Sequence, residues 1–158
     1  MGNVASNERV EAWRAFITAH AEVIGAIERE MEKEAQLLLS SYDVLVALSE
    51  VPDHRLRMHE LARHVILSRS ALSRLVDRLE KQGFIQRVRC GDDRRGAYAV
   101  LTDDGQQALN AAWPVYGRGI QEHFARYLSD EEVRILTDAM RRIAVAKGNP
   151  TYGTPTET

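Results

Sequence analysis

The chain has 158 residues, of which 44% are hydrophobic and 28% are charged, as in an ordinary globular protein with enough chain to bury a core. Its single cysteine excludes an internal disulfide and a cysteine-based zinc finger. No apolar run approaches the ~20 residues that cross a bilayer, and the polar first residues lack the apolar stretch of a signal peptide. We therefore expect no contact with a membrane and a cytoplasmic location.

The charge is unevenly distributed along the chain, although its net value is only −2 at pH 7. Residues 55–95 carry eleven Lys and Arg against five Asp and Glu, whereas the rest of the chain carries ten against eighteen. A basic middle within an acidic frame is typical of a protein with one surface that attracts phosphate. The alternative interpretation is that these arginines are only solvated surface residues.

The first two helices are predicted from hydrophobic periodicity. Apolar and aromatic side chains recur three and four residues apart from about residue 7 to residue 38, which indicates one long helix. Ser40 and Asp43 resemble a capping box and predict the start of a second helix. Pro52 ends that helix and opens a loop.

The middle of the chain predicts a helix-turn-helix followed by a hairpin. A short third helix covers about residues 58–65, and Ser68 is a suitable N-cap for an amphipathic fourth helix over residues 69–82. Strand-like residues 84–90 and 97–101 flank a tip that contains two arginines. A basic helix followed by such a hairpin is a winged helix-turn-helix, in which the helix enters a major groove and the tip reaches the minor groove.

Two more helices follow the hairpin. Thr102 is expected to cap a fifth helix that reaches about residue 127 and is kinked at Pro114. Ser129 and Glu132 form a second capping box and predict a final helix.

The predicted fold is mainly α with a small β-wing, a winged helix-turn-helix plus a helical dimerisation lobe. The expected divisions are an N-terminal dimerisation helix, a DNA-binding lobe, C-terminal dimerisation helices and a flexible tail, at residues 1–38, 39–102, 103–148 and 149–158.

Several residues of this pattern recur at family-specific positions: Leu61-Ala62, Ser68 through Glu80, Gly83, Asp93-Arg94-Arg95, Leu101-Thr102 and Gly105. With the order of the elements, they resemble the MarR-type transcriptional regulators over about residues 10–147. The resemblance implies a homodimeric, sequence-specific DNA-binding regulator, and a repressor released by a small aromatic or phenolic ligand. Its implied partners are double-stranded DNA with a pseudo-palindromic operator, a second copy of the chain and a small aromatic acid effector.

The fourth helix supplies the first set of candidate DNA contacts. Ser70, Ser73 and Arg74 are expected at base edges, because short hydroxyls allow a close approach and arginine binds guanine in a bidentate manner. Ser68 and Arg69 are expected to contact phosphate at the start of the helix.

The wing tip supplies the second set. The resemblance implies that Arg95 enters the minor groove and that Asp93 braces it, although Asp92 could brace it equally well on chemistry alone. Arg94 is expected to contact phosphate. Arg78, on the fourth helix, has two possible roles, a phosphate contact or an ion pair with a wing carboxylate.

Side chains from three helices are candidates for an effector pocket: Trp13, Phe16, His20, Tyr42, Trp113 and Tyr116. In the resembled family, small aromatic acids or phenols bind between the DNA-reading lobe and the dimerisation helices, and aromatic walls with a titratable group suit such ligands. The alternative is that these side chains are core and dimer contacts.

No enzyme motif is found in the sequence: it has no glycine-rich phosphate loop, no Gly-x-Ser-x-Gly and no His-Glu-x-x-His. The five histidines have no metal-ligand spacing, so neither an enzyme nor a metal or cofactor site is expected. Cys90 lies among arginines that would lower a thiol pKa, so oxidation there stays open. Two other functions also stay open, a winged-helix module that binds protein and a ligand-binding helical protein without DNA binding.

Overall fold

The computed structural model describes residues 7–65, 67–89 and 96–149. Within these ranges the chain is mainly helical with a small three-stranded antiparallel sheet, so the predicted fold class is confirmed. The helices and strands in chain order are α1 Asn7–Glu30, α2 Leu39–Ser49, β1 Arg55–Arg57, α3 Met58–His64, α4 Arg69–Lys81, β2 Ile85–Arg89, β3 Ala97–Leu101, α5 Asp103–His123 and α6 Asp130–Ala146.

The first helix ends earlier than the periodicity predicts. Beyond Glu30 it continues as one π-helical turn, Met31–Ala35, and then stops at Gln36, whose φ of 52° is left-handed. The backbone N–H of Gln36 donates to the carbonyl of Met31 and closes the turn. The predicted extension to residue 38 is therefore wrong, because the left-handed residue turns the chain before it reaches α2.

The predicted capping box at the start of the second helix is also wrong. The N-cap is Leu38, which makes no side-chain capping bond, so Ser40 and Asp43 lie inside α2 rather than before it. Leu39 and Tyr42 are buried in this first turn. Burial of these side chains therefore places the helix start, against the local preference for a polar cap.

The hydrophobic core lies where α2, α3 and α4 pack on the sheet. Its fully enclosed side chains come from the periodic positions of these helices and from the inner face of the strands. They include Val44, Leu45, Leu48, Leu61, Leu72, Val76, Leu79 and Ile85, joined by Ala99. The inner stripe of α4 is therefore fixed, which leaves the opposite face of that helix to solvent.

The sheet has the order β1-β3-β2, with both pairs antiparallel. The hairpin β2–β3 agrees with the sequence, but β1 was not predicted, because a three-residue strand between a loop and a helix carries no period. Leu56 of β1 is opposite Ala99 of β3, and both are buried. The third strand thus stiffens the base of the hairpin from the side away from β2.

The base of the hairpin is bonded to the start of α5 through Thr102. Its Oγ1 accepts a hydrogen bond from the backbone N–H of Gly105 at 3.0 Å, which confirms the predicted cap, and donates to the carbonyl of Gly83 at 2.6 Å. The backbone N–H of Thr102 donates to the carbonyl of Phe84 at 3.1 Å. The end of α4 and the start of α5 are therefore joined through Thr102.

The last helix, α6, is capped as predicted. Ser129 accepts from the backbone N–H of Glu132 at 3.3 Å, and the Glu132 carboxylate accepts from the backbone N–H of Ser129 at 2.8 Å. No residue of α6 is buried, although one side of the helix is apolar. None of the described helices is long and apolar enough to span a bilayer.

Candidate nucleic-acid interface

The fourth helix, α4, begins with a side-chain cap at Ser68. The Oγ of Ser68 accepts a hydrogen bond from the backbone N–H of Ala71 at 3.2 Å and lies 3.2 Å from the Oγ of Ser70. The side-chain cap satisfies only part of the free N–H groups of the first turn, and the positive end of the helix dipole faces solvent there. This end of α4 is therefore suited to an anionic group such as phosphate.

The side chains that the sequence assigns to DNA contact share one exposed face. The buried residues of α4 form the opposite stripe, and no ion pair of the described residues engages the three candidate arginines of this helix. The exposed candidates are Ser68, Arg69, Ser70, Ser73, Arg74 and Arg78. This face offers hydroxyl and guanidinium donors, which are the groups that read phosphates and base edges.

Arg87 of β2 connects the wing to α4, and the sequence did not predict this interaction. Its Nη2 lies 2.5 Å from Oδ1 of Asp77, and its Nη1 lies 3.6 Å from Oε2 of Glu80. Its backbone N–H also donates to Oε1 of Glu80 at 3.1 Å, and Nη2 donates to the carbonyl of Ser73 at 3.5 Å. The two carboxylates of α4 are thus paired with Arg87 of the wing. These contacts fix the angle between α4 and the wing.

A second basic cluster lies on the sheet beside this interface. The guanidinium carbons of Arg55 and Arg57 lie 5.2 and 5.4 Å from the centre of the Tyr98 ring, within the range of cation–π attraction. Arg57 Nε also donates to the hydroxyl of Tyr98 at 3.3 Å. Glu60, in the first turn of α3, accepts from the backbone N–H of Arg57 at 2.8 Å, whereas the side chain of the N-cap residue Arg57 makes no capping bond.

These elements enclose a recess of about 750 Å³ between α3, α4 and the wing. Its walls carry several cationic side chains and one carboxylate. The lining residues are Arg57, Met58, His59, Ala62, Arg69, Leu72, Ser73, Glu80, Arg87, Arg89, Gly96 and Ala97. The recess extends the positive surface from the recognition helix to the base of the wing, which favours an anionic polymer over a neutral partner.

The predicted wing-tip residues Asp93, Arg94 and Arg95 lie outside the described residues, as does Cys90. The strands that carry the tip are described, and their last pair is Arg89 opposite Ala97.

The six candidate pocket residues fall into two groups. Tyr42, Trp113 and Tyr116 lie together, with ring centres 4.7 Å apart for Tyr42 and Tyr116 and 6.2 Å apart for Trp113 and Tyr116. Burial, and then the neighbouring Tyr116, raises the pKa of Tyr42 to about 12, so its hydroxyl is neutral at any physiological pH. This group lies where α2 meets α5, between the two expected lobes.

Trp13, Phe16 and His20 form the other group on α1, with ring centres 6.0 and 6.2 Å apart in sequence order. Phe16 and His20 line an almost wholly apolar groove of about 710 Å³ between α1, the end of α5 and α6. Its other walls include Phe124, Tyr127, Leu136 and Met140. Trp13 is 60% exposed and Tyr127 is 72% exposed, so this surface is bare in the single chain.

Comparisons with known proteins agree with this geometry. A sequence model of a protein family, described as MarR family, matches residues 35–96. The transcriptional repressor YetL of Bacillus subtilis (strain 168) is 31% identical over 110 residues, which cover 67% of this chain and slightly less than two-thirds, 65%, of that protein.

Solved structures match over almost the full length. The MarR family regulator Sco3205 of Streptomyces coelicolor, solved in complex with DNA, gives a TM-score of 0.84 at 33% identity, covering 92% of this chain and 91% of that one. AbsC, another MarR family regulator of Streptomyces coelicolor, gives a TM-score of 0.79 at 29% identity, covering 90% and 96%. Identity, coverage and fold agree, and the chain therefore belongs to the MarR family of transcriptional regulators, which are not enzymes.

Proposed function

We propose that this protein is a homodimeric repressor that binds a pseudo-palindromic operator in double-stranded DNA and is released by a small aromatic acid. One observation carries the DNA-binding part: the exposed polar face of α4 is held at a fixed angle to the wing by Arg87 and its two carboxylate partners, Asp77 and Glu80. A groove-reading helix and a wing must contact neighbouring grooves together, so their relative position determines whether both fit.

The proposed contacts divide by chemistry. Ser70, Ser73 and Arg74 reach base edges, whereas Ser68 and Arg69 contact phosphate at the start of the helix. Arg78 lies on the same exposed face, one turn beyond Arg74, and contacts the phosphate backbone.

At the wing tip, Arg95 enters the minor groove, Asp93 braces it and Arg94 contacts phosphate. A planar guanidinium suits a narrow groove with a strongly negative potential. Replacing Arg95 by Ala is expected to weaken operator binding while leaving the melting temperature unchanged, because the role proposed for Arg95 is a DNA contact.

The homodimer is supported by the surface that the single chain leaves bare. Ile135 of α6 is 62% exposed and Ile143 is 56% exposed, and the apolar groove lies beside them on the same lobe. An exposed apolar area of this kind is typical of a protein–protein interface. A two-fold dimer would place two recognition helices on half-sites ~34 Å apart, one turn of DNA.

For the effector, the group of Tyr42, Trp113 and Tyr116 is the better candidate site. It lies between the lobes, where a ligand changes the angle of the DNA-reading elements, whereas Phe16 and His20 line the groove that a second copy would cover. A ligand releases DNA only if it binds the non-reading conformation more tightly, since equal affinity for both conformations shifts nothing.

A selection from random duplex DNA tests the proposal and yields the site at once. We expect enrichment of a pseudo-palindrome, with a binding constant that falls steeply as salt rises, because each neutralised phosphate releases about one counterion. No enrichment, together with no salt-dependent binding of any duplex, would contradict DNA binding and favour a protein-binding module. Salicylate is the first effector to titrate against the selected duplex.

A further inference from the structure

A cluster of titratable side chains lies away from the nucleic-acid interface, where the ends of α1 and α5 meet. Glu30 is the last residue of α1, and His123 is the last residue of α5, preceded by Glu122. One nitrogen or oxygen atom from each side chain lies within 4.8 Å of the others. The two helix ends are far apart in sequence, so no local spacing of ligands predicts this arrangement.

The carboxylate of Glu30 is only half satisfied within the part of the chain that the structure describes. Its Oε1 lies 2.7 Å from Nε2 of His123, but its Oε2 is buried and has no hydrogen-bond partner there. A Cβ added at Gly119 would lie 3.6 Å from Oε2, so this oxygen faces the backbone of α5. A buried carboxylate oxygen without a partner is unfavourable, and a cation would remove that penalty.

We propose that Glu30, Glu122 and His123 bind a divalent first-row transition-metal ion, with Zn²⁺ as the best match. An imidazole nitrogen favours such ions over Mg²⁺ and Ca²⁺, which prefer oxygen ligands only. One imidazole with two carboxylates is a sufficient protein ligand set when water fills the fourth position. The same three groups are one neutral and two anionic donors, so they match the charge of the ion.

The geometry needs only a small adjustment. Two atoms on one tetrahedral Zn²⁺ ion are about 3.4 Å apart, given bonds of about 2.0–2.1 Å. The Glu30 and His123 atoms are closer than that, at 2.7 Å, so they must move apart to share one ion, and Glu122 is an exposed side chain that can rotate toward them. The site would join α1 to α5 in the lobe assigned to dimerisation, independently of the DNA contacts.

A simple ion pair between Glu30 and His123 is the competing explanation. It accounts for the 2.7 Å contact but leaves Oε2 of Glu30 without a partner, and Glu122 then interacts only through its charge with Arg118 among the described contacts. The two explanations differ in one measurable property, the affinity for Zn²⁺.

Calorimetric titration of Zn²⁺ into the untagged full chain, freed of metal with a chelator, measures that affinity. We expect one ion per chain, with millimolar Mg²⁺ unable to compete. His123→Ala and Glu122→Gln should each weaken binding by more than about 100-fold, since loss of even an outer-shell partner costs about 10- to 100-fold. His54→Asn is the matched control, because it removes an exposed histidine elsewhere and Asn tolerates its left-handed φ of 50°.

Glu122→Gln guards against a folding artefact, because Glu122 is exposed and makes no part of the Glu30–His123 contact. Co²⁺ bound in place of Zn²⁺ should give visible d–d absorption that is lost in the same variants. The proposal is overturned if the wild-type chain shows no saturable binding at one equivalent, or if Glu122→Gln and His123→Ala bind Zn²⁺ as His54→Asn does.

Discussion

The guanidinium of Arg87 on β2 lies 2.5 Å from the carboxylate of Asp77 on α4 and links the wing to the recognition helix. The Arg87 side chain is 30% exposed, so this pair is only partly screened by solvent. Its Nη2 also donates to the carbonyl of Ser73, and its Nη1 forms an ion pair with the Glu80 carboxylate at 3.6 Å. One arginine therefore holds together the two elements that we propose to contact DNA.

We predict that Arg87→Ala weakens operator binding more than it weakens binding to random DNA. Loss of the bridge leaves each element intact but frees the angle between them, and only the specific complex needs that angle. Stability should fall by no more than about 1 kcal/mol, since the pair is partly exposed. Fluorescence anisotropy with both duplexes measures the two affinities.

Arg63→Ala is the control for this experiment, because it removes the same charge from an exposed position on α3. It should weaken both duplexes by the same small factor. Equal losses on operator and random DNA for Arg87→Ala would show that Arg87 acts only through its charge.

The recognition helix should separate specificity from affinity. Arg74→Ala or Ser70→Ala is expected to change the preferred bases, with Arg74 losing ~1–3 kcal/mol of discrimination if it is bidentate to guanine. Arg69→Ala should weaken every sequence alike and reduce the salt slope by about 1. Competition binding against single-base operator variants distinguishes these effects. If all three variants lose the same affinity for every sequence, α4 does not read the bases.

The exposed apolar stripe of α6, which includes Ile135 and Ile143, should form the contact between two copies of the chain. Ile135→Glu places a charge in that stripe and is expected to give monomers at micromolar concentration and a loss of operator affinity. Arg141→Gln, on the opposite side of the helix, changes the net charge by the same amount and should leave the dimer intact. Sedimentation velocity reports both states, and a dimeric Ile135→Glu variant would place the interface elsewhere.

Local chemistry was enough to predict the capped helices. Ser68, Thr102 and Ser129 each accept from the expected backbone N–H, because capping involves only neighbouring residues. Start and end points set by distant contacts were predicted poorly. Leu38 caps α2 without a side-chain bond, and β1 exists only because β3 lies beside it.

The candidate site shows the same division. A period of 3.6 identified the exposed face of α4, since burial of one stripe dictates the other. The bridge from Arg87 to Asp77 joins residues on different elements, and the cluster of Glu30 with His123 joins residues 93 positions apart in the chain. Neither leaves a spacing signal in the sequence, so both needed the fold.

Asp43 should make stability depend on pH near 6. Burial, and then the charge of Glu28, raises the pKa of Asp43 from its usual 3.8 to about 6. The folded chain therefore binds more protons than the unfolded chain between these values, so stability rises as pH falls from 7 toward 4. Part of Asp43 reaches solvent, which reduces the size of the effect.

Replacing Asp43 by Asn removes this titration. We expect a melting temperature raised by roughly 2–4 °C at pH 7, the response to about 1 kcal/mol after the discount for exposure, and no gain near pH 4. Thermal melts at both pH values measure the difference. A gain that is equal at the two values would mean that the carboxylate itself is not the cause.

The last prediction concerns two glycines of α5. Gly105 is buried beneath the hairpin base, and a Cβ there would lie 2.2 Å from the carbonyl oxygen of Phe84 and 2.8 Å from the Leu101 side chain. The clashing oxygen belongs to the backbone and accepts from the N–H of Thr102, so it cannot move without breaking that bond. Gly117, in the same helix, would place a Cβ 3.6 Å from the Trp113 ring, an ordinary contact.

Gly117→Ala should therefore stabilise the protein by up to ~1 kcal/mol, because alanine restricts the unfolded chain and favours helix. Gly105→Ala gains the same stabilisation from alanine but also introduces the clash. The clash typically costs ~1–3 kcal/mol, or more when backbone is displaced. We expect a net loss of stability and, because displacing the Phe84 carbonyl breaks one of the two hydrogen bonds that join the end of α4 to Thr102, weaker operator binding as well. Urea unfolding of both variants measures the difference in stability. A Gly105→Ala chain as stable as Gly117→Ala would contradict this prediction, because the backbone around Phe84 would then adjust to the added Cβ at no cost.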